Sequence, residues 1–167
     1  MSSLGGKVAL VTGSSRGIGA AITRRFAAEG ARLALHGRDE HALSGICNEL
    51  CAQGRMAAYF MGDVTKLEDL ERIRRDVERQ LGEVDILVAN AGGSFSPPGP
   101  LEDVDEASWR ASIDGNLTAT FLTIKCFLPA MKRRASGNII TVSSSAARRP
   151  IHIPRFLTRR RRRESRC

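Results

Sequence analysis

Apolar and polar positions alternate in two registers along this chain. Five short apolar runs stand out: KVALVT (7–12), RLALH (32–36), MAAYF (56–60), DILVAN (85–90) and NIITVS (138–143). They are too short for helices and most are flanked by Gly or Asp, so they predict buried strands. Stretches of helical length lie between them. Residues 16–29 place Ile18, Ala21, Ile22 and Phe26 on one face and stop at Gly30, a suitable C-terminal glycine. Residues 39–53 and 66–80 predict charged helices with apolar stripes, the second made by Leu67, Leu70, Ile73 and Val77. Residues 106–131 predict the longest helix, which ends near KRRASG with the basic residues that a helix dipole favours.

Strand–helix alternation through five strands argues for an α/β fold, a parallel sheet with helices on both faces. The strands are almost continuously apolar, whereas a sheet with one wet face would alternate. A chain of 167 residues supplies one well-packed domain, and no internal repeat is present. The pattern breaks near Arg148. We therefore divide the chain into a domain over 1–147 and a tail over 148–167, expected to be irregular and disordered, in which Pro150 and Pro154 interrupt the chain.

Charge changes the picture only once it is located. The net charge of +8 belongs entirely to residues 148–167, which hold nine arginines and one acid, Glu164. Residues 1–147 carry 17 basic and 17 acidic residues, so the body offers no electrostatic argument for nucleic acid or an anionic membrane. No apolar run approaches the ~18 residues that cross a bilayer. The start, MSSLGGKVAL, lacks a basic region before an apolar core, so no secretory signal is expected and the expected setting is the reduced cytoplasm. Cys47 and Cys51 sit one helical turn apart. We read them as small buried apolar residues, with a metal or redox site as the alternative. His36, His41 and His152 add no ligand pattern, and no metal is expected.

The first predicted strand runs straight into TGSSRGIG, Thr12 to Gly19, and then into a helix. Gly13 allows the sharp turn, Gly17 lets the backbone approach a phosphate, and Gly19 lets the helix pack closely. The helix N-terminus then offers N–H groups to a pyrophosphate, with Ser14, Ser15, Arg16 and Ile18 completing the turn.

T-G-x-x-x-G-x-G at this place resembles the short-chain dehydrogenase/reductase family. GDV (62–64) resembles the pair that holds the adenine ring, with Asp63 on its amine and Val64 beside it. VANAG (88–92) resembles the family's N-N-A-G, with Ala89 replacing the first Asn while Asn90, Ala91 and Gly92 stand. DGNLTATF (114–121) resembles the segment with the active-site asparagine, here Asn116. GNIITVSSS (137–145) resembles the fifth strand and its serine, placed at Ser144 rather than Ser143 or Ser145. The resemblance covers about residues 5–147. It implies a Rossmann-like doubly wound sheet and reversible hydride transfer between a nicotinamide and a small carbonyl or alcohol.

The second strand bears on the cofactor. An NAD-preferring site places an acid at its end to accept from the ribose 2′-OH. Here Gly37 holds that place and Arg38 follows; with Arg16 it suits a 2′-phosphate, so NADP(H) is expected over NAD(H). Asp39 reads instead as the cap of the next helix.

The resemblance also implies a tyrosine and lysine, spaced Y-x-x-x-K, about a dozen residues past the serine. The one tyrosine is Tyr59, and no lysine follows Lys132; Leu157 and Arg161 stand near the expected positions. The family's later helix and strands are also missing from the expected places. The reading is an incomplete NADP(H)-binding oxidoreductase domain, truncated or frameshifted and inactive as written. A family-type homo-oligomer is not expected without its pairing helix. The alternative is a binding protein using the arginine run on nucleic acid or another polyanion, but the run lacks interleaved aromatics or a basic helix face.

Overall fold

The structure, a computed structural model, describes residues 3–96 and 99–144. The strands are β1 (Val8–Thr12), β2 (Arg32–Gly37), β3 (Ala57–Met61), β4 (Ile86–Ala89) and β5 (Asn138–Thr141). The helices are α1 (Gly17–Ala28), α2 (Glu40–Ala52), α3 (Leu67–Gln80), α4 (Glu106–Ile113) and α5 (Ala119–Arg133). The strands form one parallel sheet in the order β3-β2-β1-β4-β5. The chain thus winds one way through β2 and β3, then returns past β1 to β4 and β5.

The pleat divides the apolar strand residues between two cores. Ala9, Val11, Leu33, Leu35 and Val88 pack with Ala20 and Ala27 of α1 and Leu43, Ile46 and Leu50 of α2. Val8, Leu10, Ala34 and Leu87 pack on the other face with Ile73 and Val77 of α3 and Phe127 and Met131 of α5. A sheet covered on both faces needs strands that are apolar at successive positions, which is why β1 shows no alternation. Asp39 caps α2, its carboxylate accepting from Ala42 N at 3.0 Å, and Gly30 follows α1 with φ +85°.

Two helical expectations are corrected. On α1 the buried residues are Gly19, Ala20, Thr23 and Ala27, while Ile18 is 62% exposed and Ala21 is also exposed. The helix presses its smallest residues against the sheet, so its backbone comes close and the larger Ile22 and Phe26 flank the contact, half-buried. The helix expected over 106–131 is broken by one π turn, Asp114–Thr118, between α4 and α5. Gly115 is buried there, and the Phe95 ring fills the space a side chain at Gly115 would take. The outer side of α4–α5 leaves Trp109, Leu117 and Phe121 more than half exposed.

Among the described residues β5 has one neighbour, β4, and it is mostly exposed. Val142 extends the pairing by donating to the Ala89 carbonyl at 3.1 Å. The tail expected over 148–167 and the Leu157 and Arg161 positions lie outside the described residues.

Candidate functional site

The strand order reverses between β1 and β4, and in such sheets ligands bind at that point, beyond the carboxyl ends of the strands. A cleft of about 690 Å³ opens there. It is lined from the end of β1 (Gly13, Ser15, Arg16), of β2 (Gly37, Arg38), of β3 (Asp63, Val64) and of β4 (Asn90, Ala91, Gly92), and by Ile18 and Gly19 of α1. Of the fifteen residues expected at the site from sequence, these eleven, Gly37 aside, share the cleft.

The turn after β1 is built by hydrogen bonds and by missing side chains. Thr12 Oγ1 accepts from Asn90 N and Ala91 N, each at 3.0 Å. Asn90 Nδ2 donates back to the Thr12 carbonyl at 2.9 Å and the Gly13 carbonyl at 3.2 Å. A Cβ on Gly13 would stand 2.9 Å from Ala91 Cα, and one on Gly19 would collide with the Gly13 carbonyl. Gly19 therefore allows approach to the turn and Asn90, a different contact from the sheet packing expected of it. Gly13 and Gly17, with φ +66° and +55°, supply the left-handed residues of the turn. The first turn of α1 has no side-chain cap and no acid, so nothing there competes with an anion.

Ser14 does not line the cleft. It is fully buried, donating from N to the His36 carbonyl at 2.9 Å and accepting His36 N–H on Oγ at 2.8 Å. Its small hydroxyl answers both backbone groups of His36 and so ties the turn to β2.

At the end of β2, Gly37 is buried and Arg38 exposed. Neither the Arg16 nor the Arg38 guanidinium hydrogen-bonds or ion-pairs with another described residue, although Arg38 acts on Asp63 through its charge. His36 is 2% exposed; its Nε2 lies 3.1 Å from the Gly62 carbonyl, which fixes Nε2–H as the donor. Burial pushes its pKa down to about 4. The Asp63 carboxylate accepts from Thr65 N at 2.9 Å and Thr65 Oγ1 at 2.8 Å. Those bonds, the Thr65 amide first, hold it below the usual carboxylate range, so it is an acceptor at neutral pH.

Asn116 lies on the π turn and backs the cleft without lining it. Its Oδ1 accepts from Gly93 N at 3.0 Å, while Nδ2 donates to the Gly93 carbonyl at 3.0 Å and the Ser112 carbonyl at 2.9 Å. Its own carbonyl accepts from Thr120 Oγ1 at 2.7 Å. The side chain is thus committed to holding the loop after β4. Ser144 stands exposed beyond the end of β5 and does not line the cleft. Tyr59 lies elsewhere, its hydroxyl 3.3 Å from Glu40 Oε1 on α2.

The cleft also takes His36, Gly62, Thr65, Phe95, Ala111 and Asp114, which sequence reasoning missed. His36 and Gly62 sit at strand ends, so the rule that ligands lie beyond those ends would have found them. Nothing local announces Phe95. Among the described residues, no cluster of three His, Cys, Asp or Glu could hold a metal, and no helix is long and apolar enough to cross a membrane.

A doubly wound sheet with a glycine turn at its switch point defines a dinucleotide-binding α/β domain. The chain belongs to the short chain dehydrogenase family, whose sequence model matches residues 7–153. It is 40% identical over 148 residues to the bovine (Bos taurus) dehydrogenase/reductase SDR family member 4, covering 88% of this chain and 52% of that protein. It is 35% identical to the 2,3-dihydro-2,3-dihydroxybenzoate dehydrogenase of Bacillus subtilis (strain 168), covering 85% of this chain and 54% of that one. The chain spans about half the length of these curated relatives. A metagenomic short-chain oxidoreductase in complex with NADP superimposes with a TM-score of 0.83 at 40% identity, covering 90% of this chain and 67% of the other. A 7α-hydroxysteroid dehydrogenase complexed with NADH superimposes equally, 0.83 at 32% identity, covering 89% and 57%.

Proposed function

We propose that this chain is a dinucleotide-binding oxidoreductase domain that takes NADP(H) in preference to NAD(H), and that these 167 residues do not transfer hydride on their own. The carrying observation is the end of β2. Gly37 leaves the acid position empty, while the Arg38 and Arg16 guanidiniums open onto the same cleft with no hydrogen bond or ion pair to another described residue. Guanidinium forks match a phosphate bidentately.

The residues present fit the cofactor. The uncapped turn of α1 and the closely packed Gly13 and Gly19 leave backbone N–H groups for a pyrophosphate. Asp63, held ionised, would accept from the adenine amine, and Asn90 to Gly92, which line the cleft, would hold the nicotinamide end. The nicotinamide, when bound, gives or takes the hydride. Ser144 would hydrogen-bond the substrate oxygen, and Asn116 positions the loop beside it. What the sequence lacks is the family's proton donor: no Y-x-x-x-K follows the serine, and a serine hydroxyl is a poor acid at neutral pH. We place the protein in the reducing cytoplasm, in keeping with the free thiols of Cys47, Cys51 and Cys126.

Fluorescence titration with NADPH and NADH tests the reading. NADPH should bind about tenfold tighter, and Arg38→Ala should remove most of that advantage while changing NADH affinity less than about twofold. Equal weakening of both would refute the phosphate assignment. Gly37→Asp should reverse the preference, since a Cβ there meets Leu43 Cδ1 at 3.4 Å, an ordinary contact. NADPH with a panel of ketones and aldehydes should show no turnover. Turnover abolished by Ser144→Ala would overturn the inactive half.

A further inference from the structure

A second chemical cluster lies at the opposite end of the sheet from the cleft. Cys47 and Cys51, one turn apart on α2, converge on a single acceptor at the start of β3. Cys47 Sγ lies 3.4 Å from the Ala57 carbonyl oxygen and Cys51 Sγ 3.7 Å. Cys51 is exposed, where the sequence suggested burial, and Cys47 is buried. No residue of this cluster lines the dinucleotide cleft.

The spacing selects among ligands. A disulfide needs Cβ atoms about 3.5–4.5 Å apart, whereas side chains one turn apart on a helix place theirs about 5–6 Å apart. A direct S–S bond would have to unwind α2. One soft atom held between the sulfurs spans the difference with the helix intact, and a pair of sulfur donors selects a soft acceptor. Burial first, and the neighbouring Cys51, push the Cys47 thiol up to about 11. It is therefore protonated near neutral pH, which handicaps a bare cation that requires thiolates. A ligand carrying its own proton acceptors has no such handicap.

We propose that Cys47 and Cys51 form a dithiol site for a trivalent organoarsenical of the type R–As(OH)2. Two As–O bonds break and two As–S bonds form. Each departing hydroxide takes one thiol proton and leaves as water, so no electron changes hands. The exposed Cys51 reacts first, and closure onto Cys47 is then intramolecular.

The test uses the full chain and phenylarsine oxide, read by intact mass and by competition. One adduct per chain is expected, its mass gain that of the hydrated arsenical less two waters. A small dithiol should strip it and an equal concentration of monothiol should not. Cys51→Ser and Cys47→Ser should each weaken binding by about 100-fold, while Cys126→Ser and Cys167→Ser change it less than about threefold. Cys51→Ser alters an exposed thiol, so it reads the site without a folding penalty. Unchanged affinity in Cys51→Ser, or an adduct that has lost one water only, would overturn the proposal. NADPH titration of the arsenical adduct should match that of the free protein.

Discussion

β1 and β5 belong to one parallel sheet but live in opposite surroundings. β1 is paired on both sides and packed on both faces, with Val8 to Val11 all at or below 1% exposure. The turn that follows it is pinned by Thr12 and Asn90. Among the described residues β5 is paired on one side, its Ile140 is 43% exposed, and the exposed Ser144 follows it. The turn proposed to bind phosphate therefore grows from the best-supported strand of the described structure, and the serine expected to touch substrate from the least supported. The proposed binding and the proposed chemistry thus sit on unequal scaffolds.

The largest effect on cofactor binding is expected at the turn. In Gly19→Val the added carbons meet the Gly13 carbonyl, and Asn90 Nδ2 lies 2.7 Å from the new Cβ. Both are fixed by other bonds, so neither gives way cheaply. Overpacking of this kind costs about 1–3 kcal/mol or more. At this chain length that lowers Tm by roughly 2–12 °C, and NADPH affinity should fall by more than tenfold. A variant that melts with the wild type and still binds NADPH would show that the turn has slack.

His36 gives the next effect, through acid. Burial holds its folded pKa near 4, while the unfolded chain takes up the proton near about 6.5. The unfolded state thus binds more protons between those values, so stability falls as pH drops through that window. The contribution is fully present above about pH 6.5 and amounts to at most roughly 3 kcal/mol. Urea midpoints at pH 7 and 4.5 measure it. His36→Gln should lose less between the two pH values than the wild type does; equal losses would mean that the ring is not desolvated as described.

What the sequence disclosed divides along the same line. The strands were legible because two-faced burial demands unbroken apolar runs, and VALVT and RLALHG are such runs. The glycine turn was legible because each glycine is needed within a few residues of where it stands. Non-local devices were not. Gly115 reads as a weak point in a helix until Phe95, from the loop after β4, is found in its place. Ser14 reads as a phosphate contact until β2 brings His36 against it. The face of α1 was misjudged because bulk was taken as the sign of burial, whereas close approach to the sheet favours Ala20 and Ala27 and close approach to the turn favours Gly19. Asn116 was found from its motif, but its commitment to Gly93 depends on a loop fold that no local pattern encodes.

The smallest effect is expected at the edge, and it sharpens the comparison most directly. Leu10→Ala in β1 empties a site with no solvent exposure and should cost about 2–5 kcal/mol. Ile140→Ala in β5 removes a side chain already 43% exposed, and should cost about 1 kcal/mol or less. Urea unfolding of the two variants gives the ratio. A cost at Ile140 approaching that at Leu10 would mean that the outer side of β5 is covered in solution, by a segment outside the described residues or by a second molecule. Ser144 would then sit beside a covered strand rather than at an open edge, and the inequality between binding and chemistry would close. A low cost keeps it, and locates the weakness on the strand where a proton donor would have to be assembled.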